Sequence, residues 1–257
     1  MTPPIQNAIL FGVDRILTTY KDEFKLPYPD DFRVNVTIIN SQEDFFEYQK
    51  KNIGKVISQT GYFSGGPVRE TVVWANVDTK SMLSVLFHET NHMILMHQVP
   101  AVPMWANEGL SEYFEGLNVI GKKKRINLQE NRHGWMKHWA KNGMPVPLNV
   151  YLDMDHKDWM VLDKMDSTVS YTLGYEVIYF MMSNNRNQEI LNKIINTFRT
   201  EGKKIKTTAM IEEYYKGGYN KFQEHFFKWV PKARKSRPLR ALKKKTPPKK
   251  TKTADKN

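Results

Sequence analysis

The stretch Phe87-His88-Glu89-Thr90-Asn91-His92 constrains this chain more than any other. Residues four apart on an α-helix share a face, one turn above each other. On a helix, His88 and His92 therefore aim two imidazoles at one point, about 2.0–2.1 Å from each, which suits a zinc ion. Glu89 projects beside them, close enough to hold a metal-activated water without ligating the metal. The run Ser81–Phe87 contains no Gly or Pro, and Ile94, Leu95 and Met96 continue the apolar pattern. A long, largely buried helix is expected, capped by Asp78 or Thr79. Two histidines and a glutamate are costly to desolvate without partners, which favours a metal over packing alone.

A catalytic zinc site needs a third protein ligand and an open position. Downstream lies Trp105-Ala106-Asn107-Glu108-Gly109-Leu110-Ser111-Glu112-Tyr113-Phe114-Glu115. Pro100 and Pro103 break the chain before it, so it reads as a second helix folded back on the first, with Gly116 placed to end it. Glu108 and Glu112 share a face. One can ligate while the other supports a ligand by hydrogen bonding. Glu115 suits a supporting role or a solvated helix face.

The pair H-E-x-x-H and N-E-G-x-x-x-Y-F-E resembles the gluzincin metallopeptidases, among them aminopeptidase N-like and thermolysin-like enzymes. The resemblance implies Zn2+, one per chain, held by His88, His92 and Glu108. It leaves Glu112 and Glu115 as supports. The gap between the motifs is shorter than in aminopeptidase N, and the Gly-Ala-Met-Glu-Asn stretch that holds a free amino terminus there is absent. The chain is closer in pattern to small bacterial peptidase-MA-like domains, which carry an upstream element matched by Gly61-Tyr62-Phe63. The zincin-like fold it implies is α+β: a small N-terminal sheet over the metal helix, then a helical C-terminal half. In such folds an edge strand pairs with extended substrate, a part expected of residues 61–77, with Val72, Val73 and Trp74 as the contact. The segment Tyr171-Thr172-Leu173-Gly174 resembles the aminopeptidase N-like helix whose first Tyr donates to the oxyanion. Tyr171 matches it by spacing, while Tyr175 and Tyr179 compete on nearly the same face.

Charge is distributed unevenly. Twelve Lys or Arg and one Asp between 232 and 257 account for +11 of the formal +12. Residues 1–231 are thus nearly neutral and are expected to form one catalytic domain, with sheet and active-site helices to 116 and a helical half beyond. Residues 232–257 read as a disordered basic tail. Such a tail either solubilises the chain or binds anionic polymers and surfaces without specificity. No cysteine is present, so zinc must rely on His and carboxylate, and a cysteine nucleophile is excluded. No G-x-S-x-G element supports a serine hydrolase. No apolar run has membrane-spanning length. The start lacks a basic segment followed by a long apolar one. The compartment is left open by the sequence: secreted or periplasmic if a leader has been removed, otherwise cytoplasmic.

Along the chain, helical spacing runs over 5–20, alternation over 32–39 suggests a strand, and Ser41 opens a helix to about Lys51. Residues 61–67 read as loop and 68–77 as a strand. Residues 117–165 are hard to read; His133 and His138, five apart, are taken as packing or surface groups. Helices are expected near 169–183, 187–200, 207–216 and 219–230. The stripe Tyr219, Phe222, Phe226, Trp229 is expected in the core. The function implied is zinc-dependent hydrolysis of peptide bonds in a peptide or protein substrate, with Glu89 as general base. The alternative is a non-catalytic zincin-like module whose tail contacts acidic polymers.

Overall fold

The structure, a computed structural model, describes residues 1–65, 69–75, 78–119 and 124–239. It is mixed α+β and mostly helical. Helix α1 (Pro3–Thr18) opens on two prolines, which suit a first turn whose N–H groups lack helical partners. Strand β1 (Val36–Ile39) follows, then α2 (Gln42–Ile53). Ser41 caps α2 by accepting from the Asp44 amide at 3.0 Å, and Gly54 ends it at φ 86°. Strands β2 (Gly61–Ser64) and β3 (Glu70–Trp74) complete a sheet of order β1-β3-β2. β1 runs parallel to β3, and β2 antiparallel to it. One face packs on α2 through Phe45, Tyr62 and Val72. The opposite face carries Val73 into the main core under α3 (Thr79–Gln98), which Asp78 caps.

Helix α4 (Met104–Glu115) returns along α3. Strands β4 (Leu117–Asn118) and β5 (Arg125–Asn127) lead to α5 (Glu130–Asn142), α6 (Leu148–Leu152) and α7 (His156–Met165). Helix α8 (Ser167–Met181) packs on α4, α5 and α7 and is buried almost throughout. Helices α9 (Asn185–Glu201), α10 (Thr207–Tyr214) and α11 (Gly218–Trp229) enclose the far side, with Phe222 and Phe226 fully buried. Strand β6 (Ser236–Pro238) pairs antiparallel with β5. Among the described residues, no helix is long and apolar enough to cross a membrane.

Several expectations need correction. Val72, Val73 and Trp74 cannot be a substrate-pairing edge, because β3 is the central strand, hydrogen-bonded on both sides. Thr71, Val72 and Val73 are all fully buried, as in a strand covered on both faces. Residues 61–64, read as loop, form the edge strand β2. Gly61 signals no turn here: a Cβ would lie 2.5 Å from Val85 Cγ1, so the glycine admits close approach of α3. The strand expected over 32–39 pairs only from Val36, while Phe32 packs on Tyr28 and His97 instead. The ends of the strand expected over 68–77 (68, 76 and 77) and two lysines of the basic turn (122, 123) lie outside the described residues.

The tail begins later than its charge suggests. Arg237 donates to the Tyr113 hydroxyl at 3.0 Å and to Gln188 Oε1 at 3.3 Å, and Leu239 N bonds Lys124 O at 3.2 Å. Residues 232–239 therefore belong to the folded unit, and the remainder, 240–257, lies outside the described residues. Truncation after Val230 is expected to destabilise the protein by at least about 2 kcal/mol, since it removes charge-assisted hydrogen bonds and a strand. Truncation after Leu239 is expected to be neutral. Urea unfolding of both forms checks this.

Candidate metal centre

Helix α3 presents His88 and His92 from adjacent turns, their ring centroids 4.8 Å apart. Helix α4 brings Glu108 across from them. Glu108 Oε2 lies 3.5 Å from His88 Nε2 and 3.6 Å from His92 Nε2. Those separations exceed a good hydrogen bond. They match the ligand–ligand distance of about 3.3 Å in a tetrahedron with bonds of about 2.0–2.1 Å. Two imidazole nitrogens and one carboxylate oxygen are a donor set that zinc takes, so the residues present fit the metal.

The outer nitrogens of both rings are held. His88 Nδ1 donates to Glu115 Oε1 at 2.7 Å. His92 Nδ1 donates to Asn107 Oδ1 at 3.1 Å, with Ser111 Oγ 3.2 Å from the same nitrogen. A hydrogen bond at Nδ1 fixes the tautomer and leaves the Nε2 lone pair for a metal. Asn91 ties this shell to the core. It donates to Ser111 Oγ at 2.9 Å and accepts from the buried Tyr20 hydroxyl.

Electrostatics favour a cation. Burial opposes charge on His88, yet the carboxylates facing it, Glu108 and Glu115, which accepts from its Nδ1, together with the charge of Glu89, hold its pKa well above the usual histidine range. Burial likewise opposes charge on Glu108, and the two histidines outweigh it, holding that carboxyl below its ordinary value. Glu112 is pushed up to about 7 by burial and then by the charge of Glu115, with Arg132 opposing.

The expected residues divide as follows. His88, His92 and Glu108 converge, and Glu115 supports His88 directly. Glu112 touches no ligand histidine within hydrogen-bond range. Both its oxygens are taken by Arg132, at 2.6 and 2.7 Å. Glu89 is half-buried and forms no hydrogen bond or ion pair among the described residues. Tyr171 stands on α8, its ring against Trp159 and under the Arg132 guanidinium. His133 is buried against Glu176 at 3.0 Å, and His138 is exposed, so neither joins the cluster.

Sequence reasoning missed Asn107, Ser111 and Arg132. Asn107 stands inside the N-E-G segment, and its spacing of four from Ser111 is the signal that both face α3. Arg132 lies in the segment without legible pattern and gave no signal.

A family profile described as "Predicted Zn-dependent protease (DUF2268)" matches residues 16–206, a span that includes the whole cluster. The chain belongs to this family. No curated protein matches the chain. The family description and the His/Glu cluster agree on zinc; the description alone speaks of a protease, and as a predicted one.

The geometry predicts distinct effects at the two kinds of glutamate. Glu108→Ala is expected to lose most bound zinc. Glu115→Gln is expected to keep zinc but weaken it by about 10–100-fold, the usual effect of losing a ligand's hydrogen-bond partner. Chelator competition on each variant measures both. Full retention in Glu108→Ala with loss in Glu112→Ala would move the ligand to Glu112.

Proposed function

We propose that this protein is a gluzincin-type metallopeptidase of zincin-like fold that hydrolyses peptide bonds in peptide or protein substrates. One zinc per chain is held by His88, His92 and Glu108. The observation that carries the reading is the meeting of these three donors beside Glu89, a carboxylate with no hydrogen-bond or ion-pair partner among the described residues. A purely structural zinc site has no use for such a group. When bound, zinc supplies Lewis acidity, lowering the pKa of a water and polarising a carbonyl.

The chain's own groups do the rest. Glu89 takes the proton of the attacking water and passes it to the leaving amine. Tyr171 donates a hydrogen bond to the carbonyl oxygen as negative charge develops there. Two observations support Tyr171 over its neighbours. Its hydroxyl has no hydrogen-bond partner among the described residues, whereas Tyr175 accepts from the Gln129 amide at 2.8 Å and Tyr179 donates to Arg234 O at 3.0 Å. Its pKa is raised by burial and then by nearby carboxylates, Glu108 first, which keeps the phenol a donor.

A cavity of about 880 Å³ lies between α3, β4 and the start of α5; of the cluster it is lined by Glu115 and not by His88, His92, Glu108, Glu89 or Tyr171, so it is not the cleft of this reading. The edge strand β2 offers an element for extended substrate. It meets α3 at Val85, one turn before Glu89 on the same face.

Glu89→Gln keeps shape and removes the base. It is expected to retain zinc while turnover of an unfolded protein substrate falls at least about 10²-fold. Loss of zinc in that variant would place Glu89 in the fold or among the ligands instead. Tyr171→Phe removes only a hydroxyl. Zinc content and thermal midpoint are expected to hold, with turnover down roughly 10²–10³-fold. Wild-type turnover there, or an equal loss confined to Tyr175→Phe, would end the assignment.

A further inference from the structure

The cluster contains two carboxylates beyond the one its ligand set uses: Glu115, which accepts from His88 Nδ1, and Glu112. Two groups of side chains are close enough to hold a metal: His88 with His92 and Glu108, and His88 with Glu112 and Glu115. In the second group one donor atom from each residue lies within 4.8 Å of the others. Glu112 is one turn from Glu108 on the same face of α4 and is almost fully buried. A buried carboxylate needs partners, and a nearby dication is a strong one. Something must keep Glu112 from competing.

We infer that Arg132 is the positioning residue that selects the third ligand. Its Nε donates to Glu112 Oε2 at 2.7 Å and its Nη2 to Oε1 at 2.6 Å, a two-pronged grip that occupies both oxygens. Gln129 completes the clamp. It donates to Glu112 Oε2 at 3.1 Å and to the Glu112 carbonyl at 2.7 Å, and accepts from Arg132 Nε at 2.9 Å. The Gln129 backbone is itself fixed by its amide bond to the Tyr175 hydroxyl at 2.8 Å. Glu112 is thereby drawn toward α5, and Glu108 meets the histidine pair without a rival. The same guanidinium lies 5.5 Å from the centre of the Tyr171 ring, so one cation braces the unused carboxylate and the phenol together. Lysine cannot replace this arrangement, because an ammonium is a point charge without the planar fork.

The inference rests on the proposed zinc site, and cobalt(II) substitution of the full chain tests the two separately. Wild type is expected to take up one cobalt and show the intense d–d absorption of a low-coordinate ion. Arg132→Met is expected to keep cobalt while that absorption falls at least about twofold, because Glu112 joins and raises the coordination number. Glu112→Gln alone is expected to match wild type, and Arg132→Met/Glu112→Gln to return to it. If Arg132→Met does not fold, Arg132→Lys, which keeps charge but frees one carboxylate oxygen, is expected to show a smaller change in the same direction. A wild-type spectrum in Arg132→Met (or in Arg132→Lys, should that be the variant that folds) would overturn the selection role. So would an altered spectrum that persists when Glu112 is also replaced. Failure of wild type to bind cobalt would instead remove the metal site itself.

Discussion

The contact on which the site depends is made by two glycines. Gly109 on α4 and Gly174 on α8 let the helices meet backbone to backbone: a Cβ at Gly109 would lie 2.4 Å from Gly174 O, and one at Gly174 would lie 2.7 Å from Trp105 O. No side chain fits between them without shifting a helix, and rigid backbone has little room to yield. Because Glu108 directly precedes Gly109, this approach sets how far its carboxylate extends toward α3. It also seals the back of α4, where every residue from Trp105 to Phe114 is buried. A similar approach occurs on the other side of α3, where Gly12 of α1 lies against the ring of Phe87, the residue before His88.

Such close packing makes charge the organising problem. Carboxylates on a buried helix cannot stay solvated, so each must find a cation, a donor or a proton. Glu108 finds the two histidines, Glu112 finds Arg132, and Glu115 finds His88. Glu89, beside His88, forms no hydrogen bond or ion pair among the described residues. The buried Glu176–His133 pair on α8 and α5 obeys the same rule with no chemistry attached: burial raises the carboxyl's pKa, and His133 opposes that rise. A buried titratable pair is therefore not by itself a sign of function. Convergence of several donors with one partnerless base is the stronger sign.

Legibility in the sequence followed the range of the interactions. His88, Glu89 and His92 lie on one helix, so their relation needs only the helical repeat, and Asp78 as cap is equally local. Glu108 depended on the resemblance, since spacing alone left it equal to Glu112. The two differ in their surroundings through Arg132, which grips Glu112 from another helix, and no local pattern reports that. Strand order was opaque for a similar reason. Thr71-Val72-Val73 reads as strand by composition, but its central position depends on β2, which opens on Gly61 and so imitates a loop. Charge dominates the composition of the tail, while its first residues are held by specific contacts: β6 pairs with β5, Leu239 N bonds Lys124 O, and Arg237 donates to Tyr113.

That contact has a consequence for how the site is held. Tyr113 follows Glu112 on α4, and its ring packs on Phe114 and Tyr179. Arg237 thus grips α4 one residue along from the Arg132 contact, about 100° further round the helix. The family match ends at 206, before α10, α11 and β6. The ligands, Glu89 and the Arg132 clamp all fall inside the matched span, whereas the Arg237 brace falls outside it. The chemistry and its outer support are therefore carried by different stretches of chain. Changes after 206 act on α4 through packing and through at least two hydrogen bonds, Trp105 Nε1 to Thr207 Oγ1 at 3.0 Å and Arg237 to Tyr113. They can alter how firmly Glu108 is presented, but the residues of the His/Glu cluster themselves all precede 206.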